Sequence, residues 1–269
     1  MKHLKPKALL TATLLVSLTS SPGIAAETEA EKKGYEIAAR SDRSDRGFTD
    51  STVNLKMVLQ NKAGKKSERD MFIQTLEIPD EQVGDKTMMV FRSPADIKGT
   101  ALLSYAKILD PDDQWLYLPA LKRVKRISSV NKSGPFVGSE FAFEDFTSLE
   151  LNKYSYKFIK VETYEGMACD VVERYPNYEH SGYTRQISWI DQETAQVRKV
   201  EFYNRRDALL KTLTLTEYKK YDDAYWRAHK LHMVNHQTGK STDLIYEDYA
   251  FKTGLKEGDF VKGKLSRNR

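Results

Sequence analysis

Several residues in this sequence have side chains that could perform chemistry, but few stand in a catalytic pattern. Ser139 lies in VGSEF, which lacks the second glycine of the GxSxG turn that exposes a nucleophilic serine. Cys169 is the only cysteine and lies in the strand-like run MACDVVERY, where a small buried apolar role is expected. The chain also has no HExxH and no phosphate-binding glycine loop. We therefore do not expect an enzyme.

Three histidines in HKLHMVNH could form a metal site. His229, His232 and His236 have the i, i+3 and i+7 spacing that would place them on one face of a helix, where they could bind zinc. The run leads directly into the turn HQTGKS and a further strand-like segment, which favours a strand. We therefore expect exposed strand histidines, no metal ion and no cofactor.

A basic run, LKRVKRISS at 121–129, could bind an anionic group. Leu121, Val124 and Ile127 recur at i, i+3 and i+6, which predicts one or two helical turns. The cations are either a solvated surface or a patch for lipid head groups, a membrane or an acidic partner. Nucleic acid is not expected, because no recognisable binding module is present. The cations of this patch are Lys122, Arg123, Lys125 and Arg126.

The aromatic segment, GPFVGSEFAFEDFTSLE at 134–150, places four phenylalanines in a glycine-punctuated stretch. They could plug the protein core, or they could form a movable lid over an apolar cavity, with Gly134 and Gly138 as flexible points. The two interpretations are compatible, since a plug that moves is a lid. The lid residues are Phe136, Phe141, Phe143 and Phe146.

The first 26 residues resemble a signal peptide. MKHLKPK supplies positive charge, residues 8–18 are apolar but too short to span a bilayer, and SSPGIAA ends in small residues. We expect cleavage after Ala25 or Ala26 and export to the periplasm, with a retained anchor as the alternative. Export would leave the chain with a formal charge of +2, because three of its lysines precede residue 27. Residues 27–269 are then expected to form a single domain.

One helix followed by many strands should position these residues. Thr28 and Glu31 form a capping-box pattern, and Gly47 suits a helix end, so residues 27–47 are predicted to be helical. The period then changes to two, as expected for half-buried strands. In TVNLKMVLQ and KTLTLTEY, the residues predicted to face inward are Val53, Leu55, Met57, Leu59, Leu213 and Leu215.

The spacing of strand-like runs predicts a mainly β fold. Turn signals at 60–67, 164–167, 191–195, 204–207 and 236–241 each separate two such runs. With roughly eleven strands in all and no helical crossovers, an antiparallel meander is expected. Such a sheet curls into a closed or half-open barrel whose interior its own strands do not fill. A helix, a loop or a ligand must therefore occupy that interior.

Three stretches resemble a known family. They are DRGFTDSTVNLKMVL, WLYLPALKRVKRISSVNKSGPFVGSEFAFEDF and SWIDQETAQVRKVEFYNRRDALLKTLTL. Over about residues 35–265 the chain resembles the LolA-like outer-membrane lipoprotein-sorting proteins, and more narrowly a subgroup found beside RND-type exporters. The most specific part of the resemblance is LP…RVKRI…F.GSEF…EDF.

The resemblance implies a half-open antiparallel barrel with helices over an apolar cavity, acting as a periplasmic carrier of lipids or lipoproteins. The inward strand residues would then contact acyl chains, and the aromatic segment would cover them. The partner would be an RND-type exporter or an outer-membrane acceptor, and we expect a monomer. The alternative is an accessory subunit of an exporter that carries no ligand.

Overall fold

The computed structural model describes residue 1 and residues 27–80, 83–147 and 150–267. The predicted signal peptide and its cleavage positions therefore lie outside the described residues, apart from Met1. Within the described ranges, no helix combines the length and the apolarity needed to cross a bilayer.

The described chain forms one α-helix and thirteen strands. The first half contains α1 (Glu29–Arg43), β1 (Asp50–Gln60), β2 (Lys66–Leu76), β3 (Val83–Phe91), β4 (Ala101–Lys107), β5 (Asp113–Leu118) and β6 (Arg123–Ile127). The second half contains β7 (Tyr154–Tyr164), β8 (Met167–Pro176), β9 (Tyr183–Asp191), β10 (Val197–Asn204), β11 (Leu209–Tyr221), β12 (Tyr225–Asn235) and β13 (Ser241–Phe251). Short 3-10 turns lie at 119–121, 129–131, 136–138, 143–146, 151–153, 257–259 and 262–264.

The strands form one antiparallel sheet that does not close. Its order is β6-β5-β4-β3-β2-β1-β13-β12-β11-β10-β9-β8-β7, so β6 and β7 are the two edges. All five predicted turns connect neighbouring strands of this meander. The half-open barrel is therefore confirmed, with thirteen strands rather than about eleven.

The capping box at the start of α1 is confirmed. The Thr28 side chain accepts a hydrogen bond from the Glu31 amide at 3.2 Å, and the Glu31 carboxylate accepts one from the Thr28 amide at 2.7 Å. The helix ends at Arg43, so the predicted end near Gly47 is wrong. The Ser44 hydroxyl donates to the carbonyl of Ser41 at 2.7 Å, and this local bond ends the last helical turn.

The basic run forms an edge strand, so the predicted helical turns are wrong. Only Pro119–Leu121 makes a 3-10 turn, and Lys122 then adopts a left-handed conformation with φ 49°. From Arg123 onward the chain pairs with β5 as β6. The unpaired edge of β5 offers backbone hydrogen bonds to this segment, and those bonds outweigh a weak helical spacing.

The concave face of the sheet carries the predicted apolar residues. Val53, Leu55, Met57 and Leu213 are buried in one cluster, and Leu59 and Leu215 pack against it while partly buried. Thr52, Asn54 and Lys56 alternate with them on β1 and are only partly buried. The period-two pattern therefore identified the inner face correctly.

Helix α1 occupies part of the same concave face. Val200 pairs with Ser188, and Ser188 pairs with Val172, so these side chains share a face. Ile37 and Ala38 of α1 pack in a cluster with Val172. The helix therefore covers the inner side of β7 to β9.

Gly34 allows α1 to approach the backbone of β7. A Cβ atom at this position would lie 2.7 Å from the Lys157 carbonyl carbon and from the Phe158 nitrogen. Backbone atoms cannot move aside as a flexible side chain does, so the helix would have to shift away from the sheet.

We predict that Gly34→Ala destabilises the protein by roughly 1–3 kcal/mol, as overpacking does. Helix propensity alone would favour alanine by about 1 kcal/mol, so the sign of the change separates the two effects. The free energy of unfolding in urea measures it. Lys32→Ala, at an exposed position of the same helix, is the matched control, and a stabilised Gly34→Ala variant would contradict the close approach.

Candidate functional site

The aromatic segment crosses the open side of the sheet. Because β6 and β7 are consecutive in the chain but lie at opposite edges, the residues between them must pass over the concave face. Phe136, Phe141 and Phe146 are buried in the central cluster with the inner strand residues, and Phe143 packs against that cluster while partly buried. The interpretation of these rings as core is therefore correct in this conformation.

The rings pack closely around Phe136. Its ring stacks on Phe91 of β3 at a centroid distance of 5.7 Å and lies 4.6 Å from Phe146. The Phe136 amide donates to the carbonyl of Phe141 at 2.7 Å. Gly138, with φ 77°, supports the tight loop between them, because glycine adopts this conformation without steric cost.

A buried ion pair fastens the aromatic segment to the sheet. The Lys211 ammonium on β11 donates to the Asp145 carboxylate at 2.7 Å and to the Glu140 carbonyl at 3.0 Å. Asp145 also accepts hydrogen bonds from the Tyr183 hydroxyl at 2.8 Å and from the Ala142 amide at 2.7 Å. Separating the segment from the sheet would expose or orphan both charges, which is costly for a buried pair.

Glu144 adds a second attachment. Its carboxylate accepts hydrogen bonds from the Gly182 amide at 2.8 Å, the Ser181 hydroxyl at 3.0 Å and the Tyr178 hydroxyl at 3.2 Å. Burial, reinforced by the charge of Asp145, raises the pKa of Glu144. The adjacent acids Glu144 and Asp145 thus attach the segment at two places. The sequence alone did not predict the binding partners of either acid.

A cleft of about 410 Å³, here named the inner cleft, remains open on the concave face beside α1. This volume lies within the range of small-molecule sites in proteins. Its apolar floor comes from β1 and β13, which are paired, and from strands on either side of them. The floor residues are Val53, Ile73, Val197, Leu215, Tyr246 and Tyr249.

Two left-handed residues accompany aromatic side chains that enter the inner cleft. On β11 Glu217 has φ 56°, while the register with β12 is the same before and after it. On β13 Asp248 has the same φ of 56°, and the register with β1 shifts by one residue there, as in a β-bulge. Leu215 and Tyr218 both line the cleft, as do Tyr246 and Tyr249, so strict alternation is interrupted at both places. Sequence alternation alone could not place these tyrosines.

Two arginines of the inner cleft are each paired with an aspartate. Arg46 binds Asp42 through its Nε at 2.7 Å and its Nη2 at 3.3 Å, and Arg227 contacts Asp45. Desolvation raises the pKa of Asp45 to about 6, against the opposing effect of Arg227, and the Asp45 side chain remains 57% accessible. Both guanidinium groups are therefore already neutralised by the protein.

Glu150 lies where the inner cleft meets a second, larger one. The outer cleft, of about 960 Å³, also contains Glu150 and Arg46 in its wall. Glu150 is 6% exposed, and its Oε1 atom would lie 2.5 Å from a Cβ placed on Gly84. Burial, with a further contribution from Asp85, raises the pKa of Glu150 to about 7.

The predicted site residues are distributed over the concave face. Val53 and Leu215 line the inner cleft, whereas Leu55, Met57 and Leu213 are buried in the central cluster with the aromatic segment. Leu59 lines a separate depression of about 230 Å³, together with Gly138 and Glu140 of the aromatic segment and residues of the β1–β2 and β12–β13 turns.

The basic patch lies apart from both clefts. Its four cations are exposed on β6 and the residue before it, and none of them lines the inner or outer cleft. Arg126 contacts Asp113 of β5. The patch is thus a solvent-facing sheet edge.

The other residues considered for chemistry have structural contacts. Cys169 is buried, as expected. The Ser139 hydroxyl is also buried and donates to the Phe136 carbonyl at 2.8 Å. The expectation of exposed histidines is wrong for His229, which is buried against the ring of Tyr221. Aromatic residues of β11 and β13 enclose it.

Comparison with known proteins places this geometry in a family. A family model described only as an uncharacterized protein matches residues 84–267. A solved domain from Vibrio parahaemolyticus, named as a candidate outer membrane lipoprotein-sorting protein domain, shares 51% identity with a TM-score of 0.86, over 88% of this chain and 100% of that one. This chain belongs to the same family as that outer membrane lipoprotein-sorting protein domain.

Two further solved structures share the fold. A DUF1329 family protein from Desulfovibrio piger has 27% identity and a TM-score of 0.84, over 88% of this chain and 100% of that one. A LolA superfamily protein from Nitrosomonas europaea has 18% identity and a TM-score of 0.69, over 86% and 98%. No curated protein sequence is significantly similar to this chain. The half-open sheet is therefore a LolA-like fold.

We predict that Glu150→Gln stabilises the protein more at about pH 8 than at about pH 5. The ordinary pKa of 4.5 rises to about 7 on folding, so between these values the folded state holds a proton that the unfolded state releases. The stability contributed by Glu150 therefore falls as the pH rises through this window. Melting temperatures at the two pH values measure the effect.

Glu193→Gln, at an exposed turn, serves as the control for that comparison. Asp45 also titrates in the window but is present in both proteins, so its contribution largely cancels in the difference. An equal shift in melting temperature at both pH values would show that Glu150 carries no raised pKa.

Proposed function

We propose that this protein is a periplasmic carrier, not an enzyme, that holds the hydrocarbon part of a lipid or lipoprotein and passes it toward or from the outer membrane. The observation that carries this proposal is the inner cleft, whose apolar floor remains uncovered on the concave face of a LolA-like fold. Each methylene group removed from water contributes about 0.8 kcal/mol, so a short length of chain gives useful affinity.

The inner cleft is a better location for cargo than the space beneath the aromatic segment. Phe136 and Phe141 are in contact with the core, and opening the segment would break the Lys211–Asp145 pair. Cargo that enters and leaves through the mouth of the inner cleft would not disturb this ion pair. Val53 and Leu215 would contact the hydrocarbon chain, and Leu55, Met57 and Leu213 would support them from the core.

An accessory role beside an RND-type exporter is the second candidate. The basic patch favours it, because β6 is an unpaired edge strand and Leu121, Val124 and Val130 are exposed near its cations. Such an edge suits a partner protein. Native mass spectrometry of protein released gently from cells separates the candidates. A carrier retains lipid, whereas a ligand-free protein that co-purifies with an exporter subunit supports the accessory role.

We predict that Thr75→Trp weakens hydrocarbon binding by about tenfold, since displacing two methylene groups suffices for this. Thr75 lines the inner cleft from β2, and an indole there fills space that the cargo would use. The measurement is fluorescence titration with the neutral probe N-phenylnaphthylamine, with dodecanol as competitor.

Thr163→Trp, at an exposed position of the edge strand β7, is the matched control and should bind as the unmodified protein does. Thermal melts of both variants report whether the fold is intact. Unchanged binding by a folded Thr75→Trp variant would place the hydrocarbon outside the inner cleft.

A further inference from the structure

We propose that the inner cleft selects cargo with a positively charged amine head group, and that the carboxylate of Glu150 receives this ammonium. The inference rests on the proposed carrier function and specifies the chemical class of the ligand. Three observations carry it: an unpaired buried carboxylate, two arginines that are already occupied, and an aromatic wall.

Glu150 is the exception among the buried acids of the described chain. Five acids there are less than a tenth exposed. Asp50 accepts hydrogen bonds from Thr253, Asp170 from Arg40, Glu173 from Arg185 and Asp191 from Arg198. No residue of the described ranges gives Glu150 a side-chain hydrogen bond or an ion pair.

The carboxylate of Glu150 faces the cleft space without a donor among the described residues, and Arg46 and Lys153 act on it only through their charges. Glu150 lines both clefts, and Gly84 leaves room for its carboxyl group where any larger residue would clash. A ligand ammonium that reached it would supply the missing hydrogen bonds and the opposite charge. A mostly buried carboxylate that opens only to the clefts therefore points to a donor that enters from them.

The charges around the inner cleft favour a cation over an anion. Its wall contains six acids and two arginines. Because Arg46 is paired with Asp42 and Arg227 with Asp45, each guanidinium already has a carboxylate beside it, and its attraction for a further anion is reduced. A cation meets an excess of negative charge without breaking any pair.

The aromatic wall suits the same ligand. Tyr246 and Tyr249 are stacked with ring centroids 5.8 Å apart and an angle of 14° between their planes, and Tyr218 also lines the cleft. The faces of such rings attract ammonium groups, and aromatic surfaces of this kind recognise amines in other proteins. The hydrocarbon would lie on Val53 and Leu215, with the amine toward Glu150.

The test compares dodecylammonium, dodecanol and dodecanoate, which have the same chain length and differ in the head group. Each compound competes with N-phenylnaphthylamine for binding. The pH is about 8, because the carboxylate of Glu150 is mostly ionised there. We expect dodecylammonium to bind at least about tenfold more tightly than dodecanoate. Glu150→Gln should remove about tenfold of the affinity for dodecylammonium, which corresponds to one charge-assisted contact. Its affinity for dodecanol should stay within about twofold.

Glu193→Gln is the control variant and should keep the full preference. If dodecanol binds but dodecylammonium binds no more tightly than dodecanoate, the head-group inference is wrong and the carrier function stands. If the preference survives in Glu150→Gln, Glu150 is not the acceptor and the inference is overturned. If none of the three compounds binds, the carrier function itself fails.

The source of the amine is a separate question with its own comparison. Lysophosphatidylethanolamine and lysophosphatidylglycerol differ in the head-group amine but share the phosphate. A preference for the first identifies an amine-containing phospholipid as cargo. Equal binding of the two, together with tight dodecylammonium binding, identifies a simpler amine. Either result is consistent with recognition of the ammonium by Glu150.

Discussion

The connection between the two edge strands constrains the rest of the structure. β6 and β7 are neighbours in sequence but lie at opposite ends of the sheet, so the intervening segment must cross the concave face. A chain that crosses an apolar surface must bury apolar side chains and satisfy its own polar groups. The phenylalanines meet the first requirement, and the bonds of Glu144 and Asp145 meet the second.

This crossing also determines where space remains. Helix α1 covers the inner side of β7 to β9, and the aromatic segment fills the middle of the concave face. The left-handed residues Glu217 and Asp248 lie beside tyrosines that face the uncovered part. The inner cleft is thus the portion of the curved sheet that neither element reaches, and its walls come from strands of both halves of the meander.

The sequence was sufficient to predict the features that depend on local residue patterns. The capping box at Thr28, the inward faces of β1 and β11 and the five turns follow from patterns within one element. The edge strand β6 did not, because its helical spacing competes with pairing to β5, a non-local effect. The surroundings of Asp145 and Glu150 were also beyond prediction, since Lys211 and Gly84 are distant in sequence and lie beside those acids only in the folded sheet.

Departures from local structural rules converge on the inner cleft. Glu217 and Asp248 are the residues with left-handed φ angles inside the described strands, and both flank side chains that line this cleft. Glu150, a mostly buried acid with no hydrogen bond or ion pair to the described residues, lies at the same place. Each feature costs folding free energy, as strained backbone and unpaired buried charge do. Such costs concentrate at functional sites more than in purely structural cores. The chemistry of this protein is therefore better sought in the cleft beside α1 than beneath the aromatic segment, which the Lys211–Asp145 pair holds against the sheet.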